Sequence, residues 1–211
     1  LGHAILAWRQ PEVGRCDGRA AMRTTAEELR KVLLPVTLAE AELEARPASA
    51  VLVLLQPTAG GLDVLLGRRV RRPGDPWSGQ ISFPGGHHHA DDPSLLETAL
   101  RETREEVNLD LNGRADVLGH LAPRVPGNVP DLLVVPFVAL AAVPLNPRPG
   151  PEMEETFWAP LADLPASWGR TIVPTRVGEL RVPAFLWNGR VIWGLTYRIL
   201  EELLVIVGLS R

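Results

Sequence analysis

Ala50-Val51-Leu52-Val53-Leu54-Leu55 is an unbroken apolar run bounded by Pro57 and Gly60-Gly61. A run so short predicts a buried strand. Leu62 to Arg68 reads as its hairpin partner across the Gly-Gly turn. Further stretches predict strands at Val117–Leu121, Leu132–Ala142, Thr156–Ala159, Leu180–Leu186 and Val191–Trp193. Elsewhere the apolar spacing is helical. Thr25 caps AEELRKVLL, which ends before Pro35, and residues 36–47 hold another helical piece. Asp92-Pro93 reads as a cap and first-turn pair opening a helix to about Val107, with Asn108 as a left-handed stop. GLTYRILEELLVIV closes the chain as a helix. Residues 1–23 show no sustained periodicity. The pattern predicts an α/β or α+β layered domain over residues 36–211, preceded by an arm and short helix over 1–35.

The segment ALRETREEVNL crowds three glutamates onto little more than one turn. Like charges at i,i+4 repel by about 0.2–0.5 kcal/mol per pair. With Glu102 at 0° and about 100° per residue, Glu105 falls near about −60° and Glu106 near about +40°. Leu96, Ala99, Leu100, Thr103 and Val107 form the expected core stripe beside them, so the carboxylates border the buried side. Taken alone, the segment also reads as a solvated Glu/Arg helix. Hard oxygen donors at i, i+3 and i+4 suit Mg²⁺ or Mn²⁺. Arg101 can pair with Glu105 one turn on and with Glu97 one turn back, holding the carboxylates in place.

Composition narrows the partners. The chain has 211 residues, 45% apolar and 22% charged, with a net charge of −3. That balance argues against a general nucleic-acid or membrane-surface binder. No apolar run approaches the roughly 20 residues of a membrane span, and no secretory leader is visible. A single cysteine, Cys16, excludes an intrachain disulfide and fits a reducing compartment, so the cytoplasm is the expected location. The apolar end of the last helix suggests a homodimer surface.

Phe83-Pro84-Gly85-Gly86, followed by the helix bearing Arg101-Glu102-Thr103-Arg104-Glu105-Glu106, resembles the Nudix box. That pattern is G, five residues, E, seven residues, then R-E-U-x-E-E-x-G-U, with U apolar. The tail matches at Arg101, Glu102, Glu105, Glu106 and Leu109. Asn108 stands in place of glycine and Thr103 in place of an apolar residue. The first acid is Asp92, and eight residues rather than seven precede Arg101. Glu155-Thr156-Phe157-Trp158-Ala159-Pro160-Leu161 resembles the family's acid-then-strand element, and the insertion after FPGG and Ile192-Trp193-Gly194-Leu195-Thr196 resemble its coenzyme A pyrophosphatase branch. Upstream, Leu65-Leu66, Arg69 and Gly79 fit that branch, while Asp75 stands where it carries a second arginine.

The resemblance implies a Nudix-type α/β/α sandwich with a mixed central sheet. It implies a Mg²⁺- or Mn²⁺-dependent hydrolase of a diphosphate in a nucleotide such as coenzyme A. Other members act on nucleoside triphosphates or nucleotide sugars such as ADP-ribose, and some only bind nucleotides as regulators. The implied metal ligands are Glu102, Glu105, Glu106 and the carbonyl of Gly86 or Gly85. The implied base is Glu102 or Glu105, or a loop acid among Glu152, Glu154 and Glu155, with Glu155 favoured by its spacing to Trp158. Arg101 supports the carboxylates. Arg68 and Arg69 are candidate phosphate contacts. Trp77 either stacks on a base or anchors its loop. His87-His88-His89 reads as a loop, with His87 best placed to matter.

Overall fold

The computed structural model describes residues 26–39, 47–75, 77–175 and 178–210. The arm expected over residues 1–23, with Cys16, and residues 40–46 of the second helical piece lie outside them. The rest of that piece is a single 3-10 turn, Val36–Leu38.

The apolar run lies within β1 (Ala48–Thr58), which turns through Gly60-Gly61 into β2 (Gly61–Arg69). β1 is covered on both faces, which is why its sequence does not alternate. It runs parallel to β6 (Leu133–Ala141), which pairs antiparallel with β5 (Ala115–His120). β2 pairs antiparallel with β3 (Ile81–Ser82) and with β7 (Met153–Pro160), while β4 (Gly85–His87) pairs with β1. The result is a mixed seven-stranded sheet. β8 (Trp168–Thr175), β9 (Gly178–Trp187) and β10 (Arg190–Trp193) form a separate antiparallel sheet.

Two cores follow from strand alternation. On one face, Ala50, Leu52, Leu54 and Leu65 pack with Leu95, Ala99 and Val107 of α2 (Leu95–Val107). On the other, Val53, Leu55, Val64 and Leu66 pack with Tyr197, Leu200 and Leu203 of α3 (Gly194–Ile206) and with Phe185 and Ile192 of the smaller sheet. The sandwich expected from the resemblance is present, with the small sheet sharing the α3 layer. α1 (Ala26–Val32) buries Leu29 in that layer, and Leu34 exchanges two 2.9 Å backbone hydrogen bonds with His120. Of the apolar end of α3, Leu203, Leu204 and Val207 are buried in the chain's own core and Val205 is exposed. Among the described residues, no helix is long and apolar enough to cross a membrane.

Two local expectations change. Ser94, not Asp92, caps α2, accepting a 3.1 Å bond from the Glu97 amide. The Asp92 carboxylate is taken instead by Arg101. The buried face of α2 comprises Leu95, Thr98, Ala99, Thr103, Glu106 and Val107, and Leu96 and Leu100 are only partly buried. Leu95 and Thr98 shift that face toward the acids, so Glu106 lies within it rather than at its border.

Candidate active site

α2 is fixed at both ends. Asn108 ends it at φ 53°, and its side-chain amide donates to the Arg148 carbonyl at 3.0 Å. The Arg148 and Gly150 amides donate to the Val107 and Glu106 carbonyls at 2.9 and 2.7 Å. A Cβ on Gly150 would fall 2.1 Å from the Glu105 carbonyl oxygen, so only glycine lets this loop close on the helix. No local motif marks Gly150, since its partner lies in a different element.

Arg101 organises the exposed side of α2. Its Nε and Nη2 donate to the two Asp92 oxygens at 2.8 and 3.0 Å. Nη1 donates to Glu102 at 2.9 Å and to Glu105 at 3.2 Å, and Nη2 also reaches the His87 carbonyl at 3.2 Å. The expected pairing with Glu105 is present, but the second partner is Asp92 rather than Glu97. A bidentate, nearly buried carboxylate is the stronger partner. Hydrogen bonding from Arg101 holds the Asp92 carboxyl well below the usual carboxylate range and raises the guanidinium correspondingly.

The three helix glutamates separate into two settings. Glu102 and Glu105 share Arg101 Nη1, so their oxygens surround a common point already held by a cation. Glu106 turns inward, accepting 2.9 Å from the Gly85 amide and 3.0 Å from Arg69 Nη1. Burial pushes the Glu106 carboxyl up to about 7, aided by Glu102 and Glu152 and opposed by Gly85 and Arg69. The side chains of Glu106, Glu102 and Glu105 are 2%, 14% and 57% exposed, so Glu105 alone of the three stands open to water.

Gly85 and Gly86 bring backbone into this cluster. Gly85 has φ +153°, and a Cβ there would lie 2.3 Å from the Ala50 carbonyl oxygen. A Cβ on Gly86 would lie 2.4 Å from a Glu102 carboxylate oxygen. Gly85 requires glycine, since its Cβ would meet backbone at positive φ, whereas a Cβ at Gly86 would press on the movable end of Glu102.

The two arginines of β2 part company. Arg69 points to the α2 face, pairing with Glu106 at 3.0 Å, Glu152 at 3.5 Å and Asp75 at 3.6 Å. Arg68 points to the α3 face, where it donates 3.0 Å to Glu155. Arg190 binds the same carboxylate at 2.6 and 3.1 Å and lies 4.1 Å over the Phe157 ring. Those bonds, Arg190 first, hold the Glu155 carboxyl below its ordinary value. The structure therefore joins Glu102, Glu105, Glu106, Gly85, Gly86, Arg69 and Arg101, and places Arg68 and Glu155 on the opposite face of the sheet. The loop acid that does join the cluster is Glu152, tied to Arg72 at 2.9 Å. Glu154 is exposed. The histidines disperse: His87 meets Ser49 Oγ at 3.0 Å and His88 meets Thr98 Oγ1 at 2.9 Å.

Six carboxylates (Asp75, Asp92, Glu102, Glu105, Glu106, Glu152) meet three guanidiniums (Arg69, Arg72, Arg101) here, an excess of negative charge. Among the described residues, no three acidic, histidine or cysteine side chains converge closely enough to hold a metal as they stand. The donor chemistry nonetheless fits a hard divalent cation: carboxylates in excess, two of them turned to one point, one of them packed against the Gly86 backbone of β4.

A model of the NUDIX domain matches residues 45–175. The mitochondrial coenzyme A diphosphatase NUDT8 of Homo sapiens is 39% identical over 171 residues, 77% of this chain and 71% of that protein. The uncharacterized Nudix hydrolase NudL of Photorhabdus laumondii subsp. laumondii is 36% identical over 129 residues, 60% of this chain and 67% of that protein. Among solved structures, a C. elegans Ap4A hydrolase binary complex is 22% identical over 56% of this chain and 82% of that one, with a TM-score of 0.47.

Proposed function

This chain belongs to the Nudix hydrolase family and is a pyrophosphohydrolase, and from that premise we propose that it cleaves the diphosphate of coenzyme A or a related thiol nucleotide with Mg²⁺ or Mn²⁺. The observation that carries the reaction is the meeting of Glu102 and Glu105 at Arg101 Nη1, with the Glu102 carboxylate packed against Gly86. The substrate class rests on the relative named as a coenzyme A diphosphatase, 39% identical over 77% of this chain. The cysteine count supports the cytoplasm as the place of action. The human relative's name places that protein in mitochondria.

Glu102, Glu105, Glu106 and the Gly86 carbonyl would hold the cation, which when bound offsets charge growing on phosphate oxygens and acidifies water. The chain's own residues do the rest. Arg101 aims Glu102 and Glu105 and is itself aimed by Asp92. The Gly85 amide fixes Glu106. Of the carboxylates in the cluster Glu105 is the least engaged, with one 3.2 Å bond from Arg101 and a 57% exposed side chain, whereas Glu102 is packed against Gly86, Glu106 is held by Gly85 and Arg69, and Glu152 by Arg69 and Arg72; Glu155 lies across the sheet with Arg68 and Arg190. Glu105, open to water, is therefore the group that takes the proton of the attacking water. Arg69, on the same face, is the phosphate contact, and Arg68 holds Glu155.

The test is product analysis. Incubation with Mg²⁺ and coenzyme A should release 3′,5′-ADP and 4′-phosphopantetheine. Turnover of ADP-ribose or deoxynucleoside triphosphates in preference to coenzyme A would replace the substrate class. Nucleotide binding with no turnover would make the chain a regulator.

A further inference from the structure

β7 does not run beside β2 without interruption. Leu65 stands opposite Trp158, Leu66 opposite Phe157, Gly67 opposite Thr156 and Arg68 opposite Glu155, but Arg69 stands opposite Met153. Glu154 is the extra residue of a β-bulge, and it is exposed. Residues directly opposite one another share a face of the sheet. The bulge therefore sets Met153 on the α2 face beside Arg69, packed over Gly67, whose Cβ would fall 2.9 Å from Met153 Sδ. Without the skip Glu154 would take that place. Arg69, which already faces Glu106, Glu152 and Asp75, would then gain a fourth carboxylate.

What pins the skip lies on the other face. Glu155, next to the bulge, takes a 3.0 Å bond from Arg68 opposite it and bonds of 2.6 and 3.1 Å from Arg190. Arg190 belongs to β10 of the small sheet. Its guanidinium lies 4.1 Å over the Phe157 ring, which stacks on Trp187 at 5.8 Å, and the Trp187 indole N–H donates to Asp163 at 3.3 Å. Arg68 alone would balance the charge of Glu155, so the second arginine adds rigidity rather than neutrality. All three charged side chains are partly buried, where solvent screens their attraction less. We propose that Arg190 is a positioning residue for substrate binding: by clamping Glu155 against Arg68 it fixes the bulge, keeps Glu154 in water and spares Arg69 a fourth carboxylate. The proposal rests on Arg69 being the phosphate contact. The small sheet, which places no side chain in the carboxylate cluster, thereby acts on the diphosphate from across the large one.

The experiment is calorimetric titration with methylenediphosphonate, an uncleavable diphosphate, in the presence of Mg²⁺. The proteins are wild type, Arg190→Ala, Arg190→Gln, Glu154→Gln, Arg190→Gln/Glu154→Gln and Arg69→Ala, each also unfolded thermally. Arg190→Gln keeps much of the stem over Phe157 and so serves where the alanine variant fails to fold. Both Arg190 variants should bind about tenfold more weakly, the scale of one charge-assisted hydrogen bond compromised. Glu154→Gln alone should change little, and in the double variant it should recover most of the loss, because the intruding charge is gone. A clamp that served only the fold would lower Tm in Arg190→Gln and in the double variant alike, with no recovery of affinity. Undiminished affinity in Arg190→Gln, or a loss that Glu154→Gln does not recover, would overturn the proposal. Unchanged affinity in Arg69→Ala would instead overturn the phosphate contact beneath it. Binding of the diphosphonate requires no turnover, so the outcome is independent of whether coenzyme A is the substrate.

Discussion

Gly86→Ala tests the site through a single methyl group. The added Cβ would stand 2.4 Å from Glu102 Oε1 and 2.6 Å from its carboxyl carbon. Those distances fall roughly 1 Å inside ordinary van der Waals contact. Gly86, unlike Gly85, is not among the positive-φ glycines, so alanine fits its backbone. What must move is the far end of a flexible side chain. The fold should therefore lose no more than about 1 kcal/mol, a shift of roughly 2–4 °C in Tm for a domain of this size. Catalysis should suffer far more, because Glu102 is displaced by about 1 Å from the point it shares with Glu105. A misplacement of that size costs on the order of 10²-fold. The assay is kcat for coenzyme A cleavage beside thermal unfolding by circular dichroism. Gly85→Ala is the contrast: its Cβ meets the Ala50 backbone at 2.3 Å with φ +153°, so it should destabilise the fold by about 1–3 kcal/mol or more. A Gly86→Ala protein with kcat within about threefold of wild type would refute the contact between Glu102 and the Gly86 backbone as a catalytic feature.

The remaining predictions concern the charges around that strand. Asp92→Asn should cost about 1–3 kcal/mol in urea unfolding, because Arg101 loses a bidentate partner with a 7% exposed side chain, and should lower kcat as Glu102 and Glu105 lose their aim. Glu105→Gln should lower kcat by about 10²-fold or more, whereas Glu155→Gln should leave a folded enzyme with most of its kcat. The folded-state pKa of Glu155 is lowered by Arg190 and Arg68. Its contribution to stability is therefore present above the unfolded carboxylate value and is lost as pH falls through the folded one. Denaturant midpoints should fall on acidification below about pH 4.5, and less steeply in Glu155→Gln.

The acidic helix was legible because its chemistry is local. Arg101, Glu102, Glu105 and Glu106 share one element, and Asn108 announces its end. The hairpin of β1 and β2 was legible for the same reason. What sequence could not provide was the face each residue takes once strands are in register. Glu155 has suitable spacing to Trp158, yet it sits opposite Arg68 and so turns toward α3 rather than α2. Glu152, only three residues earlier, reaches Arg69 because the loop docked by Gly150 delivers it there. β8 was missed altogether. Its sequence, WGRTIVPT, is mostly exposed and contains Pro174, which an edge strand tolerates and a central strand does not. The apolar spacing alone sets Glu106 at the border of the core, because the burial of Leu95 and Thr98, which shifts the face of α2 toward it, depends on what packs against the helix.

The central claim is that paired carboxylates on α2 gather a divalent cation where the diphosphate is cut. Mn²⁺ binding followed by electron paramagnetic resonance tests it without recourse to turnover. The account predicts that wild-type protein quenches the free Mn²⁺ signal and that Glu102→Gln/Glu105→Gln, still folded by circular dichroism, needs on the order of 100 times more protein to do so. Equal quenching by the two proteins would contradict it.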